Sequence, residues 1–180
     1  MISRLRPERP WQEHAELYRG LLCDPAVARS LWPGTLGGPR SPEQVSEILA
    51  GDIRHWHERS FGPWVFFELT TGAFVGRGGL HCSRFAGNDC VEILYAVRSD
   101  AWGAGYATEM ALLALTQARR LGIEEVLAWT ATTNTASWRV LQKLGLRPEA
   151  VVEHAGLPHR LGRLHLGERP LQSLSATAIG

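Results

Sequence analysis

Lysine is almost missing from this chain of 180 residues: Lys143 stands alone, and arginine supplies the rest of the 19 basic side chains. Against 18 acidic residues the formal net charge is +1. The basic residues are scattered, which argues against a nucleic-acid partner, since phosphate backbones are met by clustered cations. No apolar run reaches the roughly 18 residues of a membrane span, and Met1–Pro10 lacks the apolar segment of a secretory signal; a cytoplasmic protein is expected. Cysteine is scarce too. Cys23, Cys82 and Cys90 are an odd set with no Cys-x-x-Cys pair, which fits neither a disulfide framework nor a cysteine zinc site. Free thiols in a reducing compartment are expected. His55-x-His57 falls in a helical pattern, where that spacing turns the rings apart, so no metal is expected. The Gly-Lys-Ser/Thr of a P-loop is absent, which excludes that kind of nucleotide site. Neither a repeat nor a linker divides the chain. Residues 1–168 read as a single domain and 169–180 as a loose, small-residue tail.

The pattern of elements is legible from caps and periodicity. Asp24-Pro25 opens a helix with a cap and a first-turn proline, and Trp11–Cys23 before it carries a looser helical pattern. Pro33–Arg40 reads as a loop. Ser41-Pro42-Glu43-Gln44 is a capping box, after which Val45, Ile48, Leu49, Ile53 and Trp56 share one helical face. Glu47, Asp52, Arg54 and Glu58 fall off that face. Trp64–Leu69 and Phe74–His81 form a hairpin around Thr71-Gly72, and Cys90–Val97 is a third strand. A helix over Tyr106–Leu121 presents Ala107, Met110, Ala111, Ala114, Ala118 and Leu121, and Gly122 ends it. Val126–Thr130 is a strand and Asn134–Leu144 a helix stopped by Gly145. Arg147–Glu153 and Arg160–Leu166 pair around Gly156-Leu157-Pro158. The crossover helix requires a parallel pair. An α/β fold follows: a mixed, mostly antiparallel sheet of six to seven strands with helices on both faces.

Between Val97 and Tyr106 lies Ala101-Trp102-Gly103-Ala104-Gly105. Two glycines at the start of a helix let several N–H groups converge at its positive end. That arrangement binds an anion such as a pyrophosphate.

Val97–Glu109 resembles the acetyl-coenzyme A pyrophosphate loop of the GCN5-related N-acetyltransferases (GNAT). Asn134-Thr135-Ala136-Ser137, followed by Val140-Leu141-Gln142-Lys143-Leu144-Gly145-Leu146, is similar to that family's later Asn-x-x-Ser…Lys-x-Gly signature, at a matching distance. Glu92-Ile93-Leu94-Tyr95 and Trp-Gly-x-Gly-Tyr-Ala-Thr-Glu resemble the RimJ/RimL-like branch of ribosomal-protein alanine acetyltransferases. The match covers Val91–Leu146. The family often carries Arg or Gln three residues before the first glycine, where this chain has Asp100.

The resemblance implies a GNAT fold, whose central parallel pair is splayed by a bulge in the strand that ends at Val97. It implies acetyl-CoA as co-substrate, an amine acceptor and, by family habit, a homodimer. Gly103, Ala104, Gly105, Tyr106, Ala107 and Thr108 would hold the pyrophosphate through backbone N–H groups. Tyr95, Ala96 and Val97 would pair with pantetheine as an added strand does. A backbone N–H near Leu94–Val97 would meet the thioester oxygen. Asn134 would hold either the cofactor or the split between the strands.

Direct attack by an amine needs a base and a partner for the departing thiolate. Glu92 is the candidate base, since strand alternation puts it on a face with Leu94 and Ala96. An exposed strand glutamate is the plainer alternative. His81 is the competing base or substrate contact, against a simple packing role. Ser137 is the candidate hydrogen-bond donor to sulfur, against a role in capping. Trp32, Trp56 and Trp64, three of seven tryptophans, suit an acceptor groove or the core. Two other readings stay open. One is a related enzyme using another acyl-CoA such as succinyl, with Arg77, Arg84 or Arg98 as the extra cation. The other is a coenzyme A-binding sensor without turnover.

Overall fold

The computed structural model describes residues 3–33, 38–154 and 156–167. The expected tail at 169–180 and part of the Pro33–Arg40 loop lie outside the described residues. Strand β1 (Leu5–Glu8) precedes a turn of 3-10 helix at Gln12–His14. Helices α1 (Ala15–Leu22), α2 (Pro25–Leu31) and α3 (Pro42–Arg59) follow, then β2 (Pro63–Glu68), β3 (Phe74–Phe85) and β4 (Asn88–Val97). After α4 (Tyr106–Arg120) come β5 (Glu125–Ala131), α5 (Thr135–Lys143), β6 (Arg147–His154) and β7 (Leu157–His165). They build one seven-stranded sheet of order β1-β2-β3-β4-β5-β7-β6. Every neighbouring pair is antiparallel except β4 with β5.

The caps act as their residues dictate. Asp24 accepts from the Ala26 N–H, and Ser41 and Gln44 cap each other's backbone. Strand alternation sorts the core into two layers. Ala96 of β4 packs with Tyr18, Leu21, Val27, Val45 and Leu49 from α1, α2 and α3. Ile93 faces the other way, onto Ala111, Ala114, Leu115 and Ala118 of α4. Trp138 and Leu141 of α5 cover Ala128 of β5 on that same side.

Several expectations are corrected. Met1–Pro10 shows no strand pattern, yet Leu5–Glu8 is one. As the sheet's edge it tolerates Pro7, which would break a central strand. The β3–β4 hairpin runs further, to Phe85 and Asn88, because Ala86 (φ 49°) and Gly87 (φ 83°) both adopt the left-handed conformation of a tight two-residue turn. Leu121 is exposed as the last residue of the α4 cap, and Leu115 takes its place in the core. Asp52 is buried, although it sits among the polar positions of α3. The β4 bulge is absent. All ten residues of β4 pair in unbroken register with β3, from Asn88 with Phe85 to Val97 with Gly76.

Candidate active site

The parallel pair touches at one register position, Glu92 with Leu127. Beyond it β4 runs to Val97 and β5 to Ala131 without pairing. The fork therefore comes from divergence on the parallel side, and β4 itself stays straight. Backbone groups of β4 beyond Glu92 that would have met β5 face a cleft instead. The cleft has a volume of about 830 Å³, and its walls include Ile93–Val97 on one side and Trp129–Ala131 on the other.

At one end of the cleft is the glycine turn. Gly103 (φ 80°) and Gly105 (φ 86°) are left-handed, and Gly105 is the N-cap of α4. A Cβ would meet open space at Gly103 and only the Arg4 side chain at Gly105, so conformation, rather than crowding, is what calls for glycine there. Gly103, Gly105, Tyr106, Ala107 and Thr108 line the cleft. Ala104 does not: its carbonyl turns back to accept from the Arg4 guanidinium at 2.8 Å. Arg4 also binds Glu109 of α4, at 2.6 Å from Nε, and lies over the Tyr106 ring. The loop is thus braced from behind by the segment entering β1. Asp100 pairs with Arg98, which disposes of its charge beside the loop. The Trp102 indole donates to the Val97 carbonyl at 2.8 Å, so an added strand finds that carbonyl already engaged.

On the far wall Asn134 caps α5, accepting from the Ser137 N–H at 3.0 Å, while its amide donates to the Ser30 carbonyl of α2 at 2.8 Å. Both polar ends of its side chain are used within the protein. Asn134 therefore ties α2 to α5. Ser137 lines the cleft one turn further on. Its Oγ lies 2.9 Å from the Tyr95 hydroxyl.

Glu92 sits at the root of the fork, on the face of Leu94 and Ala96 as alternation requires, with 15% of its side chain exposed. Burial pushes its carboxyl up to about 7, against the pull of Arg77. His81 is its cross-strand partner on β3, with Nδ1 3.8 Å from Oε1, beyond hydrogen-bond reach. That Nδ1 is buried without a hydrogen-bond partner among the described residues. Burial lowers the His81 pKa, and the neighbouring His55 lowers it further. His55 stacks on His81 with ring centroids 4.7 Å apart. Its Nε2 accepts from the Cys82 N–H at 2.8 Å, which leaves Nδ1 to donate to the Phe61 carbonyl at 2.7 Å. Burial thus favours the uncharged form of the His81 ring.

Arg77 also faces the cleft, but its guanidinium forks onto Asp52 at 2.8 and 2.9 Å, and Tyr18 donates to the same carboxylate at 2.7 Å. This explains the burial of Asp52 and leaves Arg77 compensated. Arg84 pairs with Asp89 at the exposed hairpin end and Arg98 with Asp100. None of these three stands as a free cation for an acyl carboxylate. Of the tryptophans, Trp32 reaches the cleft under Arg40. Trp56 is core, donating to the Pro63 carbonyl, and Trp64 packs against it. Trp129, His154 and His159 line the cleft from β5, β6 and β7; nothing in the sequence pattern singles them out. Among the described residues no group of metal-ligating side chains occurs, and no helix is long and apolar enough to cross a membrane.

A family model described as an acetyltransferase (GNAT) domain matches residues 4–147. The uncharacterized protein YkkB of Bacillus subtilis (strain 168) is 28% identical over 140 residues, which cover 75% of this chain and 76% of that protein. The fold is similar to that of yncA from Salmonella typhimurium, solved with its cofactor acetyl-CoA, at a TM-score of 0.71 and 18% identity over 93% of this chain and 97% of that one. It is also similar to RimL, the ribosomal L7/L12 α-N-protein acetyltransferase, solved in complex with coenzyme A. There the TM-score is 0.72 and the identity 18%, with 91% of this chain and 95% of that one covered. At this identity the two structures speak for the fold alone.

Proposed function

The chain belongs to the GNAT acetyltransferase family, and on that footing we propose that it transfers acetyl from acetyl-CoA to a primary amine by direct attack in a ternary complex. In this reading residues 1–168 act as one cytoplasmic domain, possessing the RimJ/RimL-like pattern of β4 and the glycine turn, and the acceptor is a protein N-terminal α-amine or a small amine. A homodimer is the expected assembly. Gly103, Gly105, Tyr106 and Ala107 offer N–H groups to the pyrophosphate at the positive end of α4, while the Thr108 N–H is used on the Gly105 carbonyl and Ala104 lies off the cleft wall. Tyr95 offers unpaired backbone to pantetheine, which lies in the fork and carries the thioester toward Glu92. Ala96, expected to do the same, turns its N–H and C=O to β3 instead, on the edge from which the Arg98 N–H meets the Val75 carbonyl. Asn134 keeps the fork at its width.

The observation that carries the proposal is the position of Glu92: a largely buried carboxyl at the root of the fork, lining the cleft, with its pKa raised to about 7. A base is most effective when its pKa lies near the working pH. Ionised Glu92 takes the proton that the acceptor ammonium must lose. The amine attacks the thioester carbon, the carbonyl oxygen collects charge before a β4 N–H, and the carbon–sulfur bond breaks with its electron pair on sulfur. Ser137 hydrogen-bonds that sulfur. His81, neutral and beside Glu92, keeps the carboxyl dry and is the second station for the proton.

The test is thiol release from acetyl-CoA over a panel of amines and short peptides. At least one acceptor is expected to turn over, and Glu92→Gln is expected to lower kcat about 100-fold or more with acetyl-CoA affinity unchanged. Cofactor binding without release for any amine would favour the sensor reading and sink this one.

A further inference from the structure

The Tyr95 side chain crosses the fork. Alternation along β4 turns it away from Glu92, toward α5. Its hydroxyl meets Ser137 twice, 2.9 Å from Oγ and 3.1 Å from the backbone carbonyl oxygen. The ring is packed among core residues on the α4 and α5 side. Tyr95 and Ser137 both border the cleft.

A phenol has one hydrogen to donate, and a serine hydroxyl has one. Two arrangements of these hydrogens fit the same heavy atoms. In the closed one Tyr95 donates to the Ser137 carbonyl, and Ser137 donates back to the phenol oxygen. The pair is then satisfied within itself. In the open one Tyr95 donates to Ser137 Oγ, which frees the serine hydrogen to point into the cleft. The Ser137 carbonyl stays in the helical ladder of α5 in either case. The change is a rotation of two hydroxyls with no movement of the backbone.

Resting on the assignment of the cleft to acetyl-CoA, we infer that Tyr95 is a positioning residue for thiolate departure: its hydroxyl turns from the Ser137 carbonyl to Ser137 Oγ as charge develops on sulfur, and so presents the serine hydrogen to the leaving group. The step balances. The carbon–sulfur electron pair ends on sulfur, the amine's proton ends on Glu92, and neither hydroxyl loses its hydrogen. A hydroxyl that itself receives a hydrogen bond is a stronger donor. Burial drives the Tyr95 pKa up to about 12, so the phenol stays protonated at any working pH.

The experiment reads bound coenzyme A itself, so it does not wait on an acceptor. The thiol of coenzyme A is titrated in complex with the protein, by the ultraviolet absorbance of the thiolate. It is expected to ionise about one pH unit below the free thiol, the equivalent of one charge-assisted hydrogen bond. Tyr95→Phe and Ser137→Ala are each expected to remove most of that difference. The double variant should do no more than Ser137→Ala alone, because the two act as one chain. Ser137→Thr, which keeps a hydroxyl, should restore it. Coenzyme A affinity at pH 6, where the thiol is uncharged, should change less than threefold in Tyr95→Phe, which separates positioning from a loss of structure. A wild-type bound thiol that titrates as the free one does, or a Tyr95→Phe variant indistinguishable from wild type, overturns the inference and leaves acetyl transfer standing. Failure of coenzyme A to bind the wild type overturns both.

Discussion

At the scale of single residues, Glu92 holds opposing demands. Its carboxyl is largely buried and pushed up to about 7, where a glutamate ordinarily titrates near 4.5. Between those values the folded chain binds the proton that the unfolded chain has released. Stability therefore falls as pH rises through that window, by ~3 kcal/mol in all, and is level above it. Activity should run the other way, with kcat/KM rising through an apparent pKa near 7 as the base ionises. Glu92→Gln removes the conflict: at pH 8 it is expected to melt on the order of 5–10 °C above wild type, with the difference closing toward pH 4.5. Melting curves at several pH values check this, and a constant offset would refute it. Much of this residue was readable beforehand, since alternation along β4 put it on the face of Ala96. How far it is shielded from water was not, because that depends on elements distant in sequence. Asp52 shows the same limit. It looks like a solvent-facing residue of α3 until Arg77 and Tyr18, from other elements, are seen to meet it.

At the scale of elements, the glycine turn and the first turn of α4 form one device, and Gly105 is its joint. Alanine at its φ of 86° is strained by about 1–2 kcal/mol, and relief of that strain turns the N–H groups of the loop. Gly105→Ala is expected to weaken acetyl-CoA binding about tenfold or more. Gly122, just past the other end of α4 with φ of 69°, provides the comparison. Gly122→Ala should cost similar stability and leave affinity unchanged, and calorimetric titration of both variants decides it. Equal loss of affinity in the two would mean that the loop has no special part in binding. Elements with local signatures were the legible ones: the Asp24 and Ser41 caps, the turn itself, and Asn134 before α5. Strand β1 was not legible, because Pro7 stands within it and Pro10 just past it, and what makes it a strand is β2. The straightness of β4 was not legible either; a fork can be opened by one strand bulging or by its neighbour leaving, and only the register with β3 tells which.

At the scale of the molecule, the sheet is two blocks, β1–β4 and β5–β7–β6, meeting at the Glu92–Leu127 position. The Asn134–Ser30 and Tyr95–Ser137 contacts bridge the opening. A cofactor seated there adds contacts to both blocks at once. Acetyl-CoA at about 100 times its Kd is expected to stabilise the fold by ~2.7 kcal/mol. The resulting slowing of amide exchange should be greatest in β4 after Glu92 and in β5 after Leu127. Uniform slowing across the sheet would show that the ligand does not bridge the blocks.

That lone rung of backbone pairing also sets how the protein should yield under load. If the two blocks are tethered and drawn apart, rupture begins at the fork, well before the long β3–β4 hairpin gives way. A molecule lodged between the tines then works as a splint, and the pulling force at which the first break occurs becomes a gauge of occupancy.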